Sequence, residues 1–173
     1  GNATFRTMDA EAMDFDDESF DLICGMGILH HLDLHKSLSE IARTLRPGGQ
    51  AIFIEPLGHN PLINLYRKLT PGLRTEDEHP LLIKDLESME SYFHKIEPHY
   101  FHFNSIMAVP FRKLPGYAML LKALDAADRT LFNLLPFSRK YAWQVVVVFS
   151  QPIKAATRAS AARAAGLVKT VGR

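Results

Sequence analysis

Two apolar runs, "FDLIC" at 20–24 and "AIFI" at 51–54, flank a stretch whose apolar residues Leu34, Leu38, Ile41, Ala42 and Leu45 recur every three to four positions. Runs without strict alternation are the mark of strands covered on both faces, and the spacing between them is that of a helix. Strand, helix and strand in that order call for a right-handed crossover onto a parallel sheet. The fold class expected is therefore α/β, a Rossmann-like doubly wound sheet. The helix has a start signal in Asp33, whose carboxylate can accept from orphan backbone N–H groups, and a stop signal in "RPGG" at 46–49.

Outside this unit the pattern predicts a short strand over 3–10, a buried strand over 19–29 and another over 50–56. Further on it predicts a helix over 60–69 with Pro61 at its first position, a loop over 70–81 and a helix over 82–93. An aromatic strand over 99–106, a helix over 117–135 ended by Pro136 and a strand over 141–150 follow. The last two strands are expected to pair antiparallel, giving a mostly parallel sheet with an antiparallel edge.

The net charge of +1 hides a segregation of sign. Residues 9–21 carry seven acids and no base, whereas everything after Pro152 is basic where it is charged. The domain expected is 1–153, with 154–173 as a basic Ala/Arg-rich tail. Hydrophobic residues at 47% and charged residues at 23% give the balance of a globular chain. Apolar runs such as Val145–Phe149 stop far short of the ~20 residues of a membrane-spanning helix, so no membrane span is expected. The single cysteine, Cys24, excludes an internal disulfide and suits a reducing cytoplasm.

"LHHLDLH" at 29–35 holds three histidines, and two chemistries compete for it. A metal needs its ligands on one face. His30 and His31 end a strand, where neighbouring side chains point apart, while His35 lies inside the helix. With no Cys pair or His-x-x-x-His elsewhere, no metal is expected. The simplest alternative packs one histidine under the sheet and lets the other cap a backbone group. Position argues for more, because ligands of open α/β sheets sit outside the carboxyl ends of the strands. His30 and His31, Asp9-Ala10-Glu11 and Glu55-Pro56 all fall at such ends.

Together, "DAEAMDFDDESFDLICGMGILHHLDLHKSLSEIARTLRPGGQAIFIEP" (9–56) resembles the middle and later motifs of class I S-adenosylmethionine-dependent methyltransferases, in the type 11 small-molecule branch. The resemblance rests on order and spacing: Asp-Ala, an acidic-aromatic loop, Phe-Asp, a strand ending in His-His, a helix, Pro-Gly-Gly, and a strand ending near Glu-Pro. It implies methyl transfer from S-adenosyl-L-methionine to a small-molecule acceptor. The family's glycine-rich first motif and the acidic end of its second strand have no counterpart here. "GMG" at 25–27 falls inside a later motif and is better read as close backbone approach. By family order the chain opens near the third strand, so a fragment lacking the first strands and helices is expected.

Carried over residue by residue, Asp9 would accept from the adenine amino group with Ala10 beside the ring. Cys24, Gly25 and Met26 would pass the methionine end of the cofactor. His31, ahead of His30, would border the acceptor and take a proton where the acceptor is a hydroxyl. Glu55, His59, Tyr66 and Arg74 would line the acceptor side. Two other readings stand beside this one. A non-catalytic remnant would bind a partner or dimerise through exposed sheet surface. A nucleic-acid methylase would use the basic tail, but five bases over twenty-two residues fall short of a basic patch, so no nucleic acid is expected.

Overall fold

The computed structural model describes residues 3–73, 75, 78–157 and 160. Its strands are β1 (Phe20–Met26), β2 (Leu45–Pro56), β3 (Phe93–Phe101) and β4 (Gln144–Pro152), and its α-helices are α1 (Leu34–Thr44), α2 (Pro61–Leu69), α3 (Ile83–Ser88) and α4 (Tyr117–Leu134). They form one sheet in the order β1-β2-β4-β3. β1 lies parallel to β2, and β4 runs antiparallel to both β2 and β3. The expected α/β architecture with an antiparallel edge is present.

Alternation along the strands gives the sheet two unlike faces. Ala51 and Phe53 of β2, Val145, Val147 and Phe149 of β4, and Phe93 of β3 are buried, in one cluster with Leu38 and Ile41 of α1, Leu86 of α3 and Phe132 of α4. Phe93 stacks on Phe149 at 4.9 Å between ring centroids. Each large side chain so buried is worth about 1.5–3 kcal/mol over leaving it in water. On the other face Ile52, Ile54, Val146 and Val148 are half-buried, and Cys24 and Met26 at the β1 edge are exposed. The reading of residues 19–29 as a strand buried on both sides is thus corrected. β1 is shorter, sits at the sheet edge, and presents Leu22, Cys24 and Met26 outward.

Residues 3–10 form no strand, and Phe5 is 92% exposed. A strand is made by its neighbour's hydrogen bonds as much as by its own pattern, and none of the described strands pairs with this segment. Residues 82–93 hold a helix of only six residues, α3, and a 3₁₀ turn at Met89–Ser91 before β3 begins. β3 accordingly starts at Phe93 and stops at Phe101, so the expected strand over 99–106 is displaced toward the N-terminus. Its Pro98 is tolerated because β3 is an edge strand.

α1 is held at both ends by side chains from elsewhere. Asp33 Oδ1 accepts from Lys36 N at 3.1 Å, as the sequence predicts, while Glu11 Oε1 accepts from Asp33 N at 2.7 Å. At the other end Lys154 Nζ donates to the carbonyls of Ala42, Arg43 and Leu45. "RPGG" does not form a separate stop. The chain is already extended at Leu45, and Gly48 at φ +90° carries the irregularity inside β2. The tail beyond residue 160, and Arg74, lie outside the described residues.

The acidic stretch is fastened to α1 chiefly by Arg43. Arg43 donates to the carbonyls of Phe15 and Met13 and to the carboxylates of Asp17 and Glu40. Glu40 also accepts from Met13 N at 2.9 Å. Hydrogen bonding to Arg43 holds the Glu40 carboxyl below the usual carboxylate range, and the same pairing raises Arg43.

Candidate active site

At the carboxyl end of β2, Glu55 is completely buried. A buried carboxylate is costly unless several donors meet it, and here four do. The backbone N–H groups of Ile28, Leu29 and His30 donate at 3.0, 2.9 and 3.4 Å, and His30 Nδ1 lies at 2.6 Å. They come from the short link between β1 and the 3₁₀ turn Leu29–His31. Gly27, at φ +64°, makes the bend that aims them, and its own N–H donates to Ile54 O at 2.8 Å.

With Glu55 as a carboxylate, this arrangement selects one tautomer. A carboxylate gathering three backbone N–H groups is an acceptor only, so Nδ1 of His30 must carry the proton it donates. In the neutral ring the second nitrogen, Nε2, then keeps its lone pair. A carboxylate behind one ring nitrogen orients the imidazole.

His30 forms part of the wall of a cavity of about 810 Å³. Met26 and Gly27 of the β1 end stand beside it, with Ile54 and Pro56 of β2 and Trp143 and Gln144 at the start of β4. Leu62, Ile63, Tyr66 and Arg67 of α2 close one side, while Ile106, Met107, Val109, Pro110 and Arg112 close another. Glu78 adds an acid. The chamber is mostly apolar with a few polar groups, the usual make-up of a small-molecule site. It lies where the open-sheet rule places ligands, at the carboxyl ends of β1 and β2.

The far wall is the 3₁₀ turn Ser105–Phe111, held by a second buried carboxylate. Asp128 of α4 accepts from the N–H groups of Phe103, Asn104 and Ser105 at 3.0, 2.7 and 3.0 Å. α2 is set by Asn60, which caps Leu62 and Ile63 through Oδ1 and donates from Nδ2 to Tyr141 O at 2.7 Å.

The predicted site residues separate into groups. His30 and Glu55 come together, Tyr66 lines the cavity, and Met26 reaches its edge. His31 packs on His30 with ring centroids 4.1 Å apart, while its Nδ1 lies 3.3 Å from Thr75 Oγ1, and it is not among the lining residues. His59 is also off the cavity, with Nε2 accepting from Ile83 N at 3.2 Å. His35 points to Tyr92 OH, so the three clustered histidines go three ways. Among the described residues no group of three His, Cys, Asp or Glu stands close enough to hold a metal ion.

Asp9 is exposed and makes a turn, with Oδ1 accepting from Glu11 N at 2.8 Å and Ala10 half-buried beside it. Through Glu11, which bonds Asp33 N and Lys36 Nζ, this turn sits on the N-terminus of α1, just past the 3₁₀ turn that Glu55 holds. Glu11 raises the Lys36 pKa chiefly through that hydrogen bond. Cys24 is exposed. Gly25 turns its missing side chain inward: a Cβ there would meet the Phe53 ring at 2.6 Å, so the close approach expected of "GMG" is internal packing. The lining supplied by residues 106–112 and by Trp143 was not indicated by the sequence. The only hint was the apolar stretch "SIMAVPF" in a region without clear periodicity.

Residues 1–53 match the model of the methyltransferase domain family. Demethylmenaquinone methyltransferase of Chlorobaculum tepidum is 42% identical over 57 residues, which is 32% of this chain and 24% of that protein. The ubiquinone/menaquinone biosynthesis C-methyltransferase UbiE of Pseudoalteromonas translucida is 41% identical over 56 residues, 32% of this chain and 22% of that one. The chain thus spans about a quarter of the length of the curated relatives it matches. Phosphoethanolamine N-methyltransferase 2 of Haemonchus contortus, solved with S-adenosyl-L-methionine, superposes with a TM-score of 0.52 at 16% identity over 84% of this chain and 36% of that one. The opening third therefore carries a methyltransferase-domain sequence, and over 84% of the chain the fold is similar to that of this N-methyltransferase.

Proposed function

We propose that this chain is the acceptor-side portion of a longer S-adenosylmethionine-dependent methyltransferase whose acceptor is an apolar small molecule. The observation that carries the reading is the Glu55–His30 pair facing a mostly apolar chamber at the carboxyl edge of the sheet. Asp9, Ala10, Cys24, Gly25 and Met26 would hold the cofactor. Asp9 fits that part because its carboxylate is exposed with one oxygen turned to the local Glu11 amide, and Cys24 and Met26 fit because they lie uncovered at the β1 edge. When bound, the cofactor supplies an activated methyl group, so the protein's work is alignment and exclusion of water.

His30 is the proposed proton acceptor. Glu55 fixes its ring, and Nε2 is the nitrogen left to take a proton from the acceptor as methyl transfer proceeds. His31 supports the ring by packing on it. Tyr66, Trp143 and Met107 shape the apolar volume, and Arg67, Arg112 and Glu78 supply the polar fringe.

The test uses the full-length polypeptide carrying this sequence. Calorimetry should detect S-adenosylhomocysteine binding that weakens at least about tenfold in Asp9→Ala, the loss of one charge-assisted hydrogen bond. Transfer of a labelled methyl group into apolar extract should fall at least about a hundredfold in His30→Gln, the usual scale of a lost general base, with cofactor binding unchanged. His31→Ala should retain most of the turnover. Absence of cofactor binding in the parent protein would refute the reading, and full turnover in His30→Gln would remove the base.

A further inference from the structure

α2 is an amphipathic helix turned outward. Two of its polar residues bond inward, Asn64 donating to Gly58 O at 2.7 Å and Arg67 to Leu57 O at 3.1 Å, and Ile63 is buried. Its other apolar residues are uncovered, with Leu62, Leu65, Tyr66 and Leu69 respectively 56, 55, 57 and 72% exposed. Those four fall at i, i+3, i+4 and i+7, so they form one stripe, which a protein in water would ordinarily bury. The opposite lip of the cavity repeats the feature, for Met107 and Phe111 are also exposed there. Two apolar lips therefore border the mouth of one apolar chamber.

Among the described residues, the charge around the mouth is mainly basic. Arg67 and Arg112 line the cavity, and Lys68, Arg112 and Lys113 are exposed on the two lips. Glu78, on the cavity wall, is the one acid among the lining residues. An exposed apolar stripe rimmed by bases suits an anionic lipid surface, into which the apolar side chains dip while the bases meet headgroups.

We infer that α2 and the turn Ser105–Phe111 form a docking rim that seats the mouth of the cavity on an anionic bilayer, so that a lipid-dissolved acceptor enters without crossing water. Only the identity of the cargo rests on the function proposed above, since bilayer binding is read separately. No helix among the described residues is long and apolar enough to cross a membrane, so the contact is peripheral.

The test is flotation of the full-length polypeptide with vesicles of phosphatidylcholine alone or mixed with phosphatidylglycerol. The expected result is retention by the mixed vesicles that weakens with salt and falls at least about tenfold in Leu65→Glu/Leu69→Glu. Neither residue lines the cavity. A labelled cysteine at Leu69→Cys in a Cys24→Ser background should shift to the blue on mixed vesicles, whereas one at the equally exposed Phe137 should not. No retention by mixed vesicles, or retention unchanged in the double variant, would overturn the inference. So would a dimer that the double variant dissociates without any vesicle binding, because a second copy would then own the stripe. Vesicle binding by a protein that fails to bind S-adenosylhomocysteine would keep the docking rim and discard the methyltransferase reading, and the converse result would do the opposite.

Discussion

Glu55 and Asp128 solve the same problem on opposite walls of one cavity, and they differ in a single partner. Each is a buried carboxylate that receives three consecutive backbone N–H groups at the start of a 3₁₀ turn. Burial of either charge is tolerable because those amides replace water. Asp128 stops there, and its turn is a wall. Glu55 takes a fourth donor, the His30 ring, and so turns a structural tether into a device for orienting an imidazole. The lesson is that a site can be made from a common structural motif by adding one titratable side chain on the side that faces the chamber.

That comparison can be broken by mutation. Glu55→Ala leaves three amides and a ring N–H without an acceptor and should cost about 3–5 kcal/mol, the scale of stranding several buried donors. Asp128→Ala strands three amides and no ring, so a smaller loss of about 2–3 kcal/mol is expected. Urea unfolding of the two variants side by side reads the difference. An equal or larger loss in Asp128→Ala would mean that His30 contributes nothing to its carboxylate.

A smaller effect is expected away from both cradles, at the Arg43 clamp. Arg43→Ala should cost about 1–2 kcal/mol, because its partners are partly in water. Glu40 gives this cost a pH dependence. A carboxyl whose folded pKa is depressed contributes fully above the ordinary glutamate range and loses that contribution as pH falls through the lowered value. The stability gap between parent and Arg43→Ala should therefore be constant at neutral pH and shrink in acid below that range. A gap that widened in acid would contradict the assignment. The two cradles should keep their ranking throughout the neutral range.

Much of this was legible in the residues from 9 to 56. The apolar runs, the Asp33 cap and the period of α1 give strand, helix and strand without ambiguity, because each signal is local. Pro61 after Asn60 likewise announces α2. What the sequence could not show is pairing. Residues 3–10 alternate adequately, yet a strand needs a neighbour, and none among the described strands meets them. Glu55 was visible as a strand-end acid, but its four donors lie 25 to 27 positions away. Asp128 looks like an ordinary helical aspartate, and only the return of α4 over residues 103–105 makes it a tether. The choice between His30 and His31 had the same limit, since it depends on which ring turns toward Glu55.

The central claim is that Glu55 holds His30 at the cavity wall with the proton on Nδ1, and long-range proton–nitrogen spectra of the full-length polypeptide labelled at histidine nitrogen test it directly. At neutral pH the account predicts one histidine with a downfield Nδ1 proton and an unprotonated Nε2, absent in His30→Gln and shifted upfield in Glu55→Gln. A His30 signal in the Nε2–H form, or one indifferent to Glu55→Gln, would contradict it.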